Sequence, residues 1–195
     1  GGSAGPLRDG KGTTFEGGQR VPCVMWAPGR IPAGTRCDAL VGTIDILPTI
    51  ASLTSSELPD DRVIDGVDAS ALLHGSCDEA VRNEYLYYSS HGVLEGMRQG
   101  KWKLLVKKPR HREEAGQERK PEVYLFDLLA DIGEQENLAD ARPELVETSS
   151  ARTAESLPRH VRRGSAAKSR VGQAQRRHIV KFAQDSYSFS AQRLS

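Results

Sequence analysis

The chain has 195 residues, of which 27% are charged and 37% apolar, and its mean hydropathy is −0.51. This length suffices for one domain with a substantial core, and no apolar run approaches the ~20 residues of a membrane-spanning helix. The net charge of +1 conceals a split, because residues 151–195 carry ten Lys or Arg against two Asp or Glu, whereas residues 1–150 carry 17 against 24. The composition therefore predicts an acidic body with a basic tail.

The first motif, GPLRDGKGTTFEGG at residues 5–18, comes within one residue of a nucleotide-binding loop. It matches G-x-x-x-x-G-K up to Lys11, but Gly12 stands where that loop carries the Ser or Thr that holds magnesium. A phosphate loop also needs a helix directly after it. Gly17 and Gly18 disfavour such a helix. The pattern therefore argues against a nucleotide site.

Two interpretations of Lys11 remain open from the residues alone. Gly10 and Gly12 flank it, so the backbone can take positive φ and present the ammonium from a tight turn. A lysine held in this way could bind a compact anion as a point charge. The other interpretation is a turn lysine that is simply solvated.

The next segment, RVPCVMWAP at residues 20–28, predicts a short buried strand of a parallel sheet, because it is apolar and bounded by Pro and Gly. Cys23 is then expected to be a buried thiol. The cysteines are odd in number and match no zinc pattern. One disulfide among them stays open, and the sequence does not choose the pair. The three cysteines are Cys23, Cys37 and Cys77.

Two helices are predicted in the region that follows. Residues 39–53, ALVGTIDILPTIASL, place apolar side chains at helical spacing, and the internal proline predicts a break or a start near Asp45, which could cap the second half. Residues 65–75, DGVDASALLHG, predict a short helix that Asp68 or Ser70 could cap.

The C-terminal half predicts strands. Residues 83–90 are a strand candidate rich in Tyr, residues 94–108 predict a hairpin whose turn is Gln99-Gly100, and residues 122–131 predict a further strand. Residues 109–121 are charged and are predicted to form a mobile loop. The apolar residues of the hairpin that would share one face are Trp102, Leu104 and Val106.

Beyond Val146 few apolar residues recur at any period, and residues 151–195 predict a basic, disordered tail. Its clusters RHVRR and QRRH could bind anionic polymers such as nucleic acid or sulfated glycans through charge alone. A solvated tail is the preferred interpretation, so no nucleic-acid partner is expected.

Five motifs, taken in order, resemble one family. They are GPLRDGKGTTFEGGQRVPCVMWAPGRIPAG, TIDILPTIASL, IDGVDASALLHG, GMRQGKWKLL and YLFDLLADIGEQENLA. Over residues 1–146 this series resembles the C-terminal portion of sulfatases of the arylsulfatase A type, in the alkaline-phosphatase-like superfamily. The G-K-G-T-T-[FY]-E-G-G element is highly specific for that family. The last motif departs from the family pattern in having Ile132 where Pro is usual.

The resemblance implies an α/β fold in three parts. Residues 1–80 would be the end of the sulfatase catalytic α/β domain, and residues 81–150 a small antiparallel sheet subdomain with a packed helix. Residues 151–195 remain the basic tail.

The resemblance also implies hydrolysis of a sulfate ester. It gives Lys11 the role of binding the sulfate group and stabilising charge as the S–O bond breaks, which suits a fixed cation. Thr13, Thr14 and Glu16 are expected to support the turn. His91 lies in YYSSHGVLEGMR, a region that edges the active-site cleft and helps choose the substrate in related enzymes; an exposed loop histidine is the alternative.

Two cofactors belong to the parent family. Sulfatases use a formylglycine made from Cys or Ser in a C/S-x-P-x-R motif, and a calcium ion held by carboxylates and an Asp-Asn-Gly motif. Neither C/S-x-P-x-R nor Asp-Asn-Gly occurs in this sequence. The nucleophile and the calcium ligands are therefore expected upstream of this chain, and the chain alone is expected to be inactive.

The implied substrate is an aryl or carbohydrate sulfate, with no membrane partner, and the oligomeric state stays open. The first residue is Gly rather than Met, so the N-terminus is expected to be a cut end, and family analogy implies a periplasmic or secreted protein. One alternative to a working sulfatase is a non-catalytic remnant or frame-shifted product that at most binds anions. Another is a phosphatase or phosphonate hydrolase on the same fold, which G-K-G-T-T disfavours.

Overall fold

A computed structural model describes residues 2–75, 80–107 and 121–155. The chain divides into two compact units, which we call the sheet unit (Gly1–Arg20 with Leu86–Ser195) and the helical unit (Val21–Tyr85). The predicted division at residues 80 and 150 remains a prediction. Among the described helices, none has the length and apolar character needed to cross a lipid bilayer.

The architecture is a four-stranded antiparallel meander with short helices. Within the described ranges the strands are β1 (Glu84–Tyr88), β2 (Leu94–Gln99), β3 (Trp102–Lys107) and β4 (Glu122–Asp127), in the spatial order β1-β2-β3-β4. The helices are α1 (Glu16–Gln19), α2 (Ile46–Thr54), α3 (Ser70–Leu73) and α4 (Pro143–Glu155). Helix α4 contacts β2 and β3. This confirms the strands predicted after residue 80, the hairpin and the packed helix. The predicted loop at residues 109–121 lies almost entirely outside the described residues.

The hairpin differs from its prediction in two respects. Gln99 pairs with Trp102, so the two-residue loop is Gly100-Lys101 rather than Gln99-Gly100. The predicted apolar face of β3 is only partly buried, since Trp102 is half-buried. The residues of the opposite face are all buried, namely Lys103, Leu105 and Lys107. Two lysines can occupy this face because acidic and aromatic groups lie beside them. Lys103 pairs with Glu16 and Glu134, and the Lys107 ammonium lies 3.9 Å from the centre of the Phe15 ring and 3.9 Å from Glu95.

Helix α4 continues to Glu155, five residues into the segment predicted as tail. Its buried positions are Ser149, Ser150 and Thr153 rather than apolar residues. The hydroxyl of Ser150 donates to the carbonyl of Val146, and that of Thr153 donates to the carbonyl of Ser149. Small side chains that satisfy their own hydroxyls can face a core without an apolar pattern. Residues 156–195 lie outside the described residues.

In the helical unit, a 3₁₀ turn at Thr43–Asp45 runs directly into α2, which confirms the predicted start near Asp45. The expected capping role of Asp45 is wrong for α2, because no side-chain bond caps that helix. Its carboxylate instead accepts the backbone N–H groups of Gly42 and Val67 and pairs with Arg82. Asp45 therefore joins three segments of this unit from a fully buried position.

Helices α2 and α3 of this unit pack together, and Asp68 accepts the backbone N–H of Ser70. The N-cap residue of α3 is Ala69 and no side-chain bond caps that helix, so the predicted cap by Asp68 or Ser70 is wrong. The buried face of α2 differs from the apolar stripe expected from spacing. Its buried residues are Pro48, Thr49 and Ala51. Thr49 is held there because its hydroxyl donates to the carbonyl of Asp45 and accepts the N–H of Ala69. The expected stripe residues Ile44, Leu47 and Ile50 are 45%, 53% and 52% exposed.

The predicted buried strand at residues 20–28 is wrong in this structure. The segment has no strand structure, and Val24 and Trp26 are 92% and 84% exposed. Cys23, expected to be buried, is an exposed free thiol, as is Cys37, while Cys77 lies outside the described residues. A strand needs a partner for its backbone groups, and no described strand pairs with this segment.

Candidate sulfate-binding site

Lys11 lies at the tip of a tight turn in the sheet unit. The N–H of Thr13 donates to the carbonyl of Gly10 over 3.2 Å, and the hydroxyl of Thr13 donates to the same oxygen over 3.0 Å. Gly12 has φ of +92°, a conformation that favours glycine. The Lys11 side chain is exposed, and within the described ranges its ammonium has no hydrogen-bond or ion-pair partner. It is a cation available to a ligand.

The residues that follow the tip are buried and hold the turn onto the sheet. Thr14, Phe15 and Glu16 are 1%, 6% and 2% exposed. The Thr14 hydroxyl donates to Glu95 over 2.6 Å. The Phe15 ring meets Tyr124 edge-on at 5.7 Å. These contacts confirm that Thr13, Thr14 and Glu16 support the turn. They hold in place the backbone that carries Lys11.

The turn also closes on itself. The N–H of Gly17 donates to the carbonyl of Arg8 over 2.9 Å, so residues 8–17 form a closed loop. A Cβ atom on Gly17 would lie 2.4 Å from the carbonyl oxygen of Asp9, and one on Gly18 would lie 2.4 Å from that of Thr13. One helical turn, α1, spans both glycines, although their sequence disfavours a helix. Their role is close backbone approach.

Behind the turn lies a buried ion cluster, formed by Lys103, Glu16 and Glu134. The Lys103 ammonium donates to Glu16 over 2.7 Å and lies 2.9 Å from Oε1 of Glu134. All three side chains are 0–2% exposed. Arg20 pairs with the second carboxylate oxygen of Glu16 over 2.5 Å, and the Tyr87 hydroxyl donates to the first over 3.2 Å. Two carboxylates are therefore matched by two cations.

The charges of this cluster shift two pKa values. Burial opposes ionisation of Glu16, but the charge and hydrogen bonds of Lys103 and Arg20 outweigh it, so the pKa of Glu16 lies below its ordinary value of 4.5. Burial, reinforced by the negative charge of Glu16, raises the pKa of Tyr87. Glu16 is thus a carboxylate, and Tyr87 a neutral hydrogen-bond donor, at neutral pH.

The lowered pKa of Glu16 predicts a pH dependence of stability. The ionised Glu16 stabilises the fold fully above its unfolded pKa near 4.5, and this contribution is lost as the pH falls through the lower folded pKa. We therefore expect Glu16→Gln to reduce the free energy of unfolding most at pH 7, with the deficit shrinking below about pH 4.5. Urea unfolding of both chains between pH 3 and pH 7 measures it. A deficit that stays constant over this range would contradict the prediction.

His91 lies in the exposed loop between β1 and β2. The loop is closed by the N–H of Ser89, which donates to the carbonyl of Val93 over 2.8 Å. The His91 ring lies 3.3 Å from the Ser90 hydroxyl. In the described part of the chain, no hydrogen bond or ion pair joins His91 to Lys11. The structure thus places both predicted residues at the surface.

Comparison with known proteins identifies the fold and the family. Residues 9–155 match the family model described as N-sulphoglucosamine sulphohydrolase, C-terminal. The chain belongs to the sulfatase family. Bovine arylsulfatase A is 37% identical to this sulfatase chain over 161 residues, and mouse steryl-sulfatase is 40% identical over 98 residues.

The sulfatase chain also resembles solved structures. One, from work on the metabolism of multiple glycosaminoglycans by Bacteroides thetaiotaomicron, has a TM-score of 0.65 at 27% identity and covers 77% of this chain. Another, Ps i-CgsB in complex with a neocarrahexaose, has a TM-score of 0.59 at 25% identity. These similarities confirm the predicted α/β class and sulfatase resemblance. The chain spans 31% of bovine arylsulfatase A, 16% of mouse steryl-sulfatase and 32% of each of these two structures.

The carboxylates of the described residues do not fit the calcium ion of the sulfatase family. Within these ranges no group of three or more His, Cys, Asp or Glu could hold a metal ion. The buried carboxylates are already matched by cations: Glu16 and Glu134 by Lys103, and Asp45 by Arg82. Calcium takes six to eight oxygen ligands, so we assign it none of these groups.

Sequence reasoning missed Lys103 and Glu134 in this sulfatase chain. Lys103 stands in the alternating strand WKLLVK, where a lysine indicates a solvent-facing position. Glu134 follows Gly133 in a loop and carries no periodic signal. One feature of the sequence could have indicated this ion cluster. Glu16 follows the apolar Phe15 in the turn, and a carboxylate buried there would need a cation beside it.

Proposed function

We propose that the chain is the C-terminal portion of a sulfuric ester hydrolase in which Lys11 binds the sulfate group of the substrate. The observation that carries this proposal is the exposed ammonium of Lys11, without a partner in the described residues, on a turn whose next three residues are buried. A sulfate monoester carries one delocalised negative charge, and a compact ammonium matches it as a point charge. The sulfatase membership of the chain agrees with this role.

The chemistry that Lys11 can supply is electrostatic. As the S–O bond breaks, negative charge moves onto oxygen atoms of the ester, and a cation that is already in place stabilises that charge without reorganising. A lysine on a flexible segment would stabilise the charge less, because ordering that segment costs conformational entropy. The buried anchors of the turn limit that loss for the backbone that carries Lys11.

A second observation supports a larger protein around this chain. The helical unit exposes many large apolar side chains, and exposed apolar patches of this kind mark interaction surfaces. These residues include Val21, Val24, Trp26, Leu47 and Ile50. We propose that this surface packs against the rest of the hydrolase, which would also contain the formylglycine and the calcium ligands.

The proposed substrate is an aryl or carbohydrate sulfate. Among similar proteins, pig N-acetylgalactosamine-6-sulfatase is 43% identical over 95 residues, and Ps i-CgsB was solved with a bound carbohydrate. In this proposal residues 1–80 end the catalytic domain and residues 81–150 form the smaller subdomain. His91, on an exposed loop, would help select the group that carries the sulfate.

A substrate panel tests the proposed function. The full-length protein that carries this chain should hydrolyse an aryl sulfate or a sulfated sugar and should prefer either to the corresponding phosphate ester, because the single lysine charge matches a monoanion. Release of sulfate and of phosphate is measured under identical conditions. Preference for the phosphate ester would favour a phosphatase on the same fold, and no hydrolysis of any ester would favour a non-catalytic remnant.

A further inference from the structure

We infer that Lys103 and Glu134 are positioning residues that hold Lys11 in place through Glu16, an inference that rests on the proposed sulfate-binding role of Lys11. Neither side chain reaches the protein surface. Each acts through the closed loop of residues 8–17, at whose tip Lys11 lies. The loop and the cluster belong to the same compact unit.

Glu134 anchors both ends of the loop. At one end, the guanidinium of Arg8 donates to the backbone carbonyl of Glu134 over 2.8 Å. At the other end, the N–H of Glu16 donates to the carboxylate of Glu134 over 2.6 Å. The bond from Gly17 to Arg8 then closes the loop. One residue thus fixes the two ends from which Lys11 is presented.

The backbone conformation of Glu134 indicates that its surroundings hold it in place. Its φ is +53°, in the left-handed region that is uncommon for residues other than glycine, and its side chain is fully buried. Such a conformation costs free energy and persists only where the surroundings determine it. Here the hydrogen bonds to Arg8 and Glu16 do so, together with the ion pair to Lys103.

Lys103 supplies the positive charge that lets the Glu134 carboxylate lie beside Glu16. The side chains of Glu16 and Glu134 are both buried, and the Glu134 carboxylate accepts the backbone N–H of Glu16. Two carboxylates this close repel unless a cation lies between them. Lys103 contacts one oxygen of each. Arg20 cannot replace it, because among the described residues Arg20 forms an ion pair with Glu16 and not with Glu134, and its side chain is 43% exposed. Loss of the Lys103 charge should therefore separate the carboxylates and release the Glu16 end of the loop.

The first test is hydrogen exchange in the 195-residue chain, followed by NMR at individual amides. In Lys103→Met we expect exchange at the Gly17 amide, which bonds to Arg8, to become faster by about tenfold or more. Amides of the β3–β4 ladder should change little, and Lys103→Arg should restore most of the protection. The control is Lys101→Met on the same hairpin, whose lysine forms a half-exposed ion pair with Asp127. Equal acceleration in the ladder would show general destabilisation and would overturn the inference.

The second test is a double-mutant cycle in the full-length protein with an aryl sulfate. Lys103→Met should lower kcat by up to about 10²-fold, the size of effect that a small misplacement can have. In a Lys11→Ala background the same change should add little, because the group that it positions is gone. Equal losses in both backgrounds would overturn the inference. If Lys103→Met does not fold, Glu134→Gly replaces it in both tests, because it removes the acceptor of the Glu16 N–H and glycine tolerates the positive φ of this position.

The two proposals fail in different ways. If Lys11→Ala leaves turnover unchanged, the sulfate-binding role is wrong, whatever the exchange at Gly17 shows. If Lys11→Ala lowers turnover but Lys103→Met changes neither the Gly17 amide nor kcat, only the positioning role is wrong.

Discussion

Replacing Lys11 by alanine in the full-length protein should lower turnover of an aryl sulfate by about 10²–10³-fold, as expected for loss of one group that stabilises developing charge. The loss should appear mainly in kcat, because the charge on oxygen grows as the S–O bond breaks. Steady-state kinetics with saturating aryl sulfate measures it. Unchanged kinetics would remove Lys11 from the site.

The fold should tolerate this substitution, which makes the kinetic result interpretable. Lys11 is exposed, and within the described residues it has no partner to lose. A matched control is Lys101→Ala, which removes an exposed lysine from another turn of the same unit. We expect that control to keep wild-type turnover, because exposed ion pairs contribute little. A comparable loss in both variants would indicate a general effect of surface charge rather than a specific site.

Replacing Arg82 by methionine should lower the free energy of unfolding of the helical unit by about 3–5 kcal/mol, because it leaves a buried carboxylate without its cation. Asp45 is fully buried and contacts Arg82 through both oxygens. Burial opposes ionisation of Asp45, but Arg82 and the N–H groups of Gly42 and Val67 lower its pKa below the usual range. Without Arg82 only the two N–H groups would stabilise the charge.

Urea unfolding followed by circular dichroism measures the Arg82→Met effect, with Arg36→Met as the control for an exposed ion pair. The double variant Asp45→Asn/Arg82→Met removes both charges and keeps an oxygen acceptor. If the orphaned charge is the cause, the double variant should recover part of the lost stability. No recovery would show that the packing of Arg82, rather than its charge, stabilises this unit.

Local sequence patterns predicted the elements whose structure depends on neighbouring residues. The hairpin of β2 and β3 was predicted because its two apolar segments flank a glycine turn, and α2 begins where the proline pattern indicated. The exposed turn around Lys11 was predicted from its flanking glycines. In each case the decisive interactions lie within a few residues along the chain.

Sequence patterns gave wrong predictions where contacts with residues far along the chain determine which side chains are buried. Residues 20–28 have the composition of a buried strand, but they are exposed because no described strand supplies their backbone partners. Helix α4 extends beyond its apolar pattern, and it packs against β2 and β3, which lie far from it along the chain. The composition of a segment indicates how readily its side chains can be buried, but it does not indicate which distant residues would pair with them.

The sequence by itself determined the sulfatase family, the order of the four strands after residue 80, and Lys11 as the exposed cation of a glycine turn. Tertiary structure alone decided that Lys103 is buried and that Glu134 meets it, because 87 and 118 positions of chain separate Lys103 and Glu134 from Glu16. Charged residues so far apart carry no shared periodicity. Their pairing is favourable only after folding excludes water and brings the opposite charges together.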